Sequence, residues 1–376
     1  MLHNEQEHDQ EVQALWGAYR EGRNTRVPIT FACDEQVWLK ASGRRFGDFY
    51  RIPEVHLQAQ LEGQLWFRRN VVGDGESGLP DTWRVIVRDW MEENDFCGCK
   101  VVYQEDDYAW GLPLEVPKED LLGYLGDLDP DRQVECSHSY RMYCALRELT
   151  DGMTFHGRPV EVVRPGGGTT GLFTKGSEIR GIDALCMDLY DDPEFAHAFL
   201  DLFTDMTIAR IRAWRRLDGD GDPDLANPDR FHFPDDSIQL LSPDLYERFV
   251  MPRHERLYRE MTTGDRSLHL CGYATQHFDS LAKRLGVTSI DGPGPFVDHG
   301  KHLEQYGTDF SFAAQMDHTI LEQGTREEIR AMMRSILNPT VKIPGRFQLM
   351  GFVNKLTPLE NVRACYEAGR EFGVIS

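Results

Sequence analysis

From about residue 160 the chain repeats one pattern, a short apolar run followed by a longer amphipathic stretch, and this limits the fold more than any other feature. "RSLHLCG", "VTSIDGPG", "DFSFAAQM" and "GRFQLMGF" are strand candidates separated by helical segments. Two of those helices open with capping boxes, Thr325…Glu328 and Thr357-Pro358-Leu359-Glu360. Upstream, "VEVVRPGGG" reads as a strand entering a glycine-rich turn, and 192–217 as a long helix with an apolar stripe. "SPDLYERFVMPRHERLYREM" begins a further helix with Ser242 as N-cap and Pro243 at the first helical position. Strands that alternate with helices pair in parallel and carry the helices outside. A doubly wound open sheet would show GxGxxG after its first strand, and none occurs, so the pattern favours a closed α/β barrel.

The 376 residues allow two ordinary domains or one large barrel. Val12, Leu15, Trp16 and Tyr19 place an amphipathic helix at the N-terminal end, and "VPITFAC" (27–33) follows as a strand. Residues 34–150 mix helical stretches such as "EVHLQAQLEGQLWFRRN" with a strand at 100–105 and the irregular "DDYAWG", a set suited to covering one mouth of the core. A formal charge of −21 argues against a nucleic-acid surface, which needs a basic face. No apolar run approaches the roughly 20 residues that span a bilayer. "MLHNEQEHDQ" has no basic and apolar regions of a signal peptide, so the expectation is a cytoplasmic protein. The eight scattered cysteines fit reduced thiols, Cys97-Gly98-Cys99 included, because that pair precedes its strand.

Polar chemistry gathers where strands end. Asp235-Asp236 precede a helix, His269 and Cys271 end one strand, Asp291 ends the next, and Gln315-Met316-Asp317 the one after. In a barrel those ends share the rim that carries active sites. His269 and Cys271, two apart on a strand, point to the same face, with Leu268 and Leu270 turned towards the helices. Imidazole and thiolate both suit zinc, but a site needs a third protein ligand, and the bland alternative is a core accident. "FHFPDDS" (231–237) is the best source of that ligand or of an acid/base pair; adjacent carboxylates in extended chain cannot both face one ligand, and the bland alternative is that one of them caps or supports the loop before the Ser242 helix. "DGDGDPD" (218–224) imitates a calcium loop but has Pro223 and Asp229 where glycine and glutamate belong, and reads as a solvated acidic turn. "RPGGGTTG" (164–171) lacks the Gly-Lys-Ser/Thr of a phosphate loop, which leaves its glycines a backbone role.

The stretches "DDSIQLLSPDLYERFVMP", "HLCG", "TSIDGPG", "GTREEIR" and "TPLENVRACYEAGREFG" resemble the uroporphyrinogen decarboxylase superfamily, and "GGGTTGLFTKGSEIRGIDALCMDLYDDPEFAHAFLDLFTD" extends the likeness upstream. The resemblance implies a single (β/α)8 TIM barrel with additional N-terminal helices over 1–376. About 1–150 would hold the helices and cap loops, and 160–376 the clearest repeats. "RVPITFACDEQVW" does not reproduce the arginine-rich segment with which the decarboxylases grip their substrate, whereas HxCG is how the zinc- and cobalamin-linked methyltransferases hold zinc. The likeness therefore implies His269 and Cys271 as metal ligands. The cysteine that completes the methyltransferase site falls, counting back from Thr357, at Gly351, so a carboxylate or histidine from 232–236, with His232 the candidate ligand, would have to replace it. Asp235 or Asp236 would tune the metal or manage a proton, Asp291, Gln315 and Asp317 would line the pocket, and Tyr108 or Trp110 would close over it. The implied activity is methyl transfer between a small methylated substrate or thiol and a corrinoid carried on a separate protein, since no DxHxxG segment occurs here. A homodimer is a candidate assembly. The rival readings are a metal-free decarboxylase or lyase of a small acid, and a non-catalytic ligand-binding barrel.

Overall fold

The computed structural model describes residues 5–219 and 222–375. The acidic-turn reading of 218–224 therefore falls in part, at Asp220 and Gly221, outside the described residues. Numbered along the chain, the strands that pair in parallel are β1 (Ile29–Cys33), β2 (Trp83–Ile86), β3 (Arg158–Val163), β4 (Arg230–Pro234), β5 (Asp265–Gly272), β6 (Val287–Pro293), β7 (Ser311–Gln315) and β8 (Phe347–Val353). Six of them form one sheet in the order β1-β8-β7-β6-β5-β4. The first strand thus lies beside the last, and the sheet curls into half a barrel. β2 and β3 make a separate parallel pair, and Thr154–Phe155 adds a short antiparallel edge to β3. The architecture is α/β, with helices following the strands on the outside.

The junction between the two ends of the chain is tied by one buried carboxylate. Asp74 accepts a bidentate pair from Arg26 at 2.6 and 2.7 Å, the backbone N–H of Ile29 in β1 at 2.7 Å, and the Tyr366 hydroxyl at 2.9 Å. Because Tyr366 sits on the last helix, Leu359–Phe372, this group holds β1 against the C-terminal end of the fold. A second buried cluster ties the long helix Pro193–Asp218 to the segment after β2. The Arg210 guanidinium meets Glu92, Glu93 and the Gly168 carbonyl, and is 2% exposed. Burial of such a group is tolerated only because each charge has a partner.

Alternation along the strands sorts the side chains. Leu268 and Leu270 are buried against the helical shell, whereas Ser267, His269 and Cys271 lie on the inner face with the polar residues of β6. Several local expectations match. The Thr325–Glu328 capping box forms, Ser242 caps its helix with Pro243 next, and the long helix expected at 192–217 runs from Pro193 to Asp218. Others differ. Thr357 turns its hydroxyl back to the Asn354 N–H, leaving Pro358 as an N-cap with no side-chain bond, so the second box is absent. The run at 100–105 contributes only Val101–Val102, antiparallel to Trp110–Gly111. The parallel strand within 34–150 is instead β2, "WRVI".

A candidate metal centre at the strand ends

The centre grows out of the register between β5 and β6. His269 pairs with Asp291, both on the inner face, and Asp291 Oδ2 lies 2.6 Å from His269 Nδ1. That contact fixes the imidazole so that Nε2 faces Cys271 Sγ at 2.9 Å. The ring fits there because residue 292 is a glycine. At φ +98° a Cβ on Gly292 would lie 2.8 Å from His269 Cε1 and 2.7 Å from the Leu270 carbonyl. Asp236, opening the 3₁₀ turn Asp236–Leu240 after β4, accepts the Cys271 backbone N–H at 2.5 Å. One ligand atom from each of Asp236, His269 and Cys271 lies within 4.8 Å of the others.

The electrostatics follow from this packing. Burial opposes the imidazolium of His269, but the bonds to Asp291 and Cys271 outweigh it and raise the group to about 10. Burial raises the Asp236 carboxyl against the lowering pull of the Cys271 N–H and His269. A carboxylate oxygen, an imidazole nitrogen and a thiolate are all zinc donors, and three protein ligands that leave a fourth position open suit a catalytic site. A carboxylate on the second ring nitrogen is the usual support of a metal-bound histidine, and Asp291 occupies that place. The donor set fits a metal of the zinc type.

The other residues singled out from the sequence are placed differently. His232 stands outside the three-residue group: its Nδ1 is 3.1 Å from Ser267 Oγ and its Nε2 3.5 Å from Asp291 Oδ1. Burial lowers its pKa. Asp235 is fully buried and turned away. Its carboxylate accepts the backbone N–H groups of Phe173 and Thr174 at 3.0 and 2.8 Å and the Thr174 hydroxyl at 2.8 Å, with His254 Nε2 at 2.8 Å. It thereby caps the helix Leu172–Arg180, whose own N-cap, Gly171, has no side chain to do so. Asp317 likewise caps the helix His318–Gln323, and Gln315 bonds His318 at 3.1 Å. The Tyr108 hydroxyl meets Asp34 and, at 3.2 Å, Glu35 at the end of β1, while Trp110 is 65% exposed.

The place expected for a further cysteine faces the wrong way. Gly351 shares the shell-facing side of β8 with Leu349 and Val353, all buried. A Cβ there would meet the Phe31 ring at 2.6 Å and the Met316 sulfur at 3.1 Å. Sequence reasoning also missed what lies at the end of β2. Ile86, Val87 and Trp90 line a cavity of about 310 Å³ together with Gly166, Thr169 and Pro234. Arg88 stands there 3.0 Å from Glu35, over the Trp38 ring at 5.6 Å. Pro234, which lines this cavity, pairs in register with His269 on the neighbouring strand.

Three comparisons bear on this geometry. The sequence profile of the family described as uroporphyrinogen decarboxylase (URO-D) matches residues 163–372, more than half of the chain. A methylated-thiol--coenzyme M methyltransferase of Methanosarcina mazei is 28% identical over 203 residues, 54% of this chain and 52% of that protein; the match spans about half the length of the relative. The solved structure of a methyltransferase from Methanosarcina mazei superposes with a TM-score of 0.59 over 96% of this chain and 98% of its own, at 18% identity, a likeness of fold. The chain belongs to the uroporphyrinogen decarboxylase family, and the relatives it matches lie on that family's methyltransferase branch.

Proposed function

We propose that this protein is a methyltransferase that moves a methyl group between a small substrate and a corrinoid carried by a separate protein, with a zinc-type metal held by Asp236, His269 and Cys271. The observation that carries the reading is the centre itself, where an imidazole oriented by Asp291 faces a thiol 2.9 Å away and a carboxylate stands within reach of both. The match to a methyltransferase over about half of its length supports the reaction class. A bound zinc-type ion, held by Asp236, His269 and Cys271, would supply Lewis acidity that either eases departure of the atom carrying the methyl group or keeps an acceptor thiol as thiolate. Asp291 accepts from His269 Nδ1 and so holds the imidazole in one orientation. The Cys271 backbone N–H holds one oxygen of Asp236, which fixes the carboxylate against the thiol.

The same reading includes closure of β2 and β3 onto the six-stranded sheet as a (β/α)8 barrel. In that reading residues 1–376 act as one domain, with Tyr108 and Trp110 in the cap over the mouth. It also includes a cytoplasmic setting, for which eight unpaired cysteines give support. Among the described residues no helix is long and apolar enough to cross a membrane. A homodimer is part of the proposal only as an assembly to be measured.

The test is zinc content per chain by elemental analysis of protein purified without added metal, beside the double variant His269→Ala/Cys271→Ser. Near-stoichiometric zinc that is lost in the variant, followed by methyl transfer to a reduced corrinoid protein, is the expected result. Wild-type protein that stays metal-free when zinc is offered would overturn the metal mechanism and return the search to decarboxylation or simple binding.

A further inference from the structure

We infer, on the metal reading above, that His277 and the adjoining Gln276 are positioning residues for the candidate centre: from the Cys271 loop they hold the turn that carries Asp236, and so set the carboxylate against the thiol. Asp236 and Cys271 come from the ends of different strands, β4 and β5, so their spacing depends on how two loops are fastened together. The Cys271 N–H reaches one oxygen of Asp236. That bond restrains the carboxylate itself and leaves the backbone of its turn to be held by something else.

Buried histidines anchor that backbone on both sides of Asp236. His254 holds the residue before it, with Nε2 2.8 Å from Asp235 Oδ2. His277, in the 3₁₀ turn Thr275–His277 of the Cys271 loop, donates from Nε2 to the Ile238 carbonyl at 2.8 Å. A carbonyl oxygen only accepts, so the proton of this bond is on the ring. His254, His277 and Ile238 are each 0% exposed, and water cannot stand in for either anchor. The Tyr246 ring packs on both imidazoles, at 5.7 Å from His254 and 4.6 Å from His277, and its hydroxyl meets His254 Nδ1 at 3.2 Å.

The two loops meet at further points along one seam. Gln276 Nε2 donates to the Gln239 carbonyl at 3.1 Å, and a Cβ on Gly272 would lie 2.7 Å from Gln239 Oε1. Beyond the loops the chain enters the π turns Tyr246–Val250 and Ser280–Arg284. Such turns are rare and gather at functional sites. One side chain joins them: Glu247 accepts from the Ser280 hydroxyl and from Arg284, each at 2.6 Å. His277 is the fully buried member of this seam, whereas Gln276 and Glu247 work from its half-exposed edge. A ligand whose supporting turn drifts by about half an ångström binds metal less tightly, because the ordering then falls on the binding step.

Zinc affinity of the full-length protein, measured by competition with a chromogenic chelator, is compared in the wild type, His277→Phe and His277→Gln. Phenylalanine keeps a ring against Tyr246 and removes the donor, and the Ile238 carbonyl retains the Leu241 N–H, so the fold should survive. His277→Phe should bind zinc about tenfold or more weaker, whereas His277→Gln, which keeps an N–H donor, should stay within about threefold of wild type. With cobalt(II) in place of zinc, sulfur-to-cobalt charge transfer from Cys271 should persist in His277→Phe while the ligand-field bands shift, because the displaced ligand is the Asp236 oxygen. A role in stability alone would lower the melting temperature of His277→Phe and leave its zinc affinity at the wild-type value. That result would overturn the inference with the metal reading standing, and so would equal weakening in both variants. Wild-type protein that binds neither metal removes the metal reading and this inference together. If His277→Phe does not fold, Gln276→Ala at the edge of the same seam decides: weaker zinc binding supports the inference, and unchanged affinity overturns it.

Discussion

Restoring a cysteine at residue 351 should not rebuild a sulfur-rich centre. The Cβ of Gly351→Cys would sit 2.6 Å from two carbons of the Phe31 ring and 3.1 Å from the Met316 sulfur, before its Sγ is added. Carbon atoms do not approach closer than about 3.5 Å without repulsion, so the ring must move by about an ångström in a packed shell. Overpacking of this kind costs about 1–3 kcal/mol. The unfolding entropy of a chain this long is about 0.8 kcal/mol/K, so the melting temperature should fall by about 1–4 °C. The thiol would face the helical shell, so zinc affinity, measured by competition with a chromogenic chelator, should stay at the wild-type value. Gly351→Cys/Phe31→Ala should recover part of the lost stability by opening room, again without a gain in affinity. A single variant that melts at the wild-type temperature and binds zinc more tightly would refute the facing assigned to β8.

The two adjacent carboxylates should separate cleanly: Asp235→Asn should cost about 1–3 kcal/mol in urea unfolding with zinc content unchanged, whereas Asp236→Asn should lose zinc with stability within about 0.5 kcal/mol. Asp291→Ala removes the hydrogen-bond partner of His269 Nδ1 and should weaken zinc binding about 10–100-fold, read by the same chelator competition. Burial, against backbone hydrogen bonds to Phe49 and Ile86, depresses His56 from its ordinary 6.5 to about 4. The unfolded chain then binds more protons between those values, so this contribution is complete above about pH 6.5 and is lost as pH falls through 4, a loss of about 2 kcal/mol by pH 5. His56→Asn should flatten that part of the urea-midpoint profile, and an unchanged slope would count against the assignment. Arg210→Met leaves Glu92 and Glu93 buried without their partner and should cost about 3–5 kcal/mol, seen as loss of soluble protein or a large drop in melting temperature.

The alternation of strand and helix was readable after residue 160 because β5 to β8 are apolar runs bounded by turns, and period alone marks them. β2 escaped because "WRVI" is four residues long with an exposed arginine in it, and nothing local distinguishes it from the loops around it. β4 escaped because "RFHFP" presents histidine to the inner face, where an apolar residue would have marked a strand. The failed cap at Thr357 has a similar cause: the hydroxyl had two backbone partners within reach, and the turn at Asn354 won. Local pattern proposes partners, and tertiary contacts choose among them.

Asp235-Asp236 shows how far that choice can matter for chemistry. The sequence allows only one of two neighbouring carboxylates to face a given ligand, and offers no local reason to prefer either. The preference comes from 61 and 62 residues upstream, at Thr174 and Phe173. The glycine-rich loop delivers the helix Leu172–Arg180 with Gly171 at its N-cap, so the exposed N–H groups of Phe173 and Thr174 need an acceptor from elsewhere. Asp235 meets that need and is drawn into the interior, with His254 beside it. Once its side chain points inward, the next residue must turn the other way, and Asp236 arrives at the Cys271 N–H beside His269. The helix cap and the candidate metal centre are therefore one device read in two directions. Giving residue 171 a capping side chain would not free Asp235, because a Cβ there would lie 2.6 Å from the Asp235 carboxyl carbon and at a φ of +108°. Gly171→Ser should therefore displace both carboxylates, lowering stability and zinc content together. Gly171→Ser protein that lost only one of the two would break that coupling.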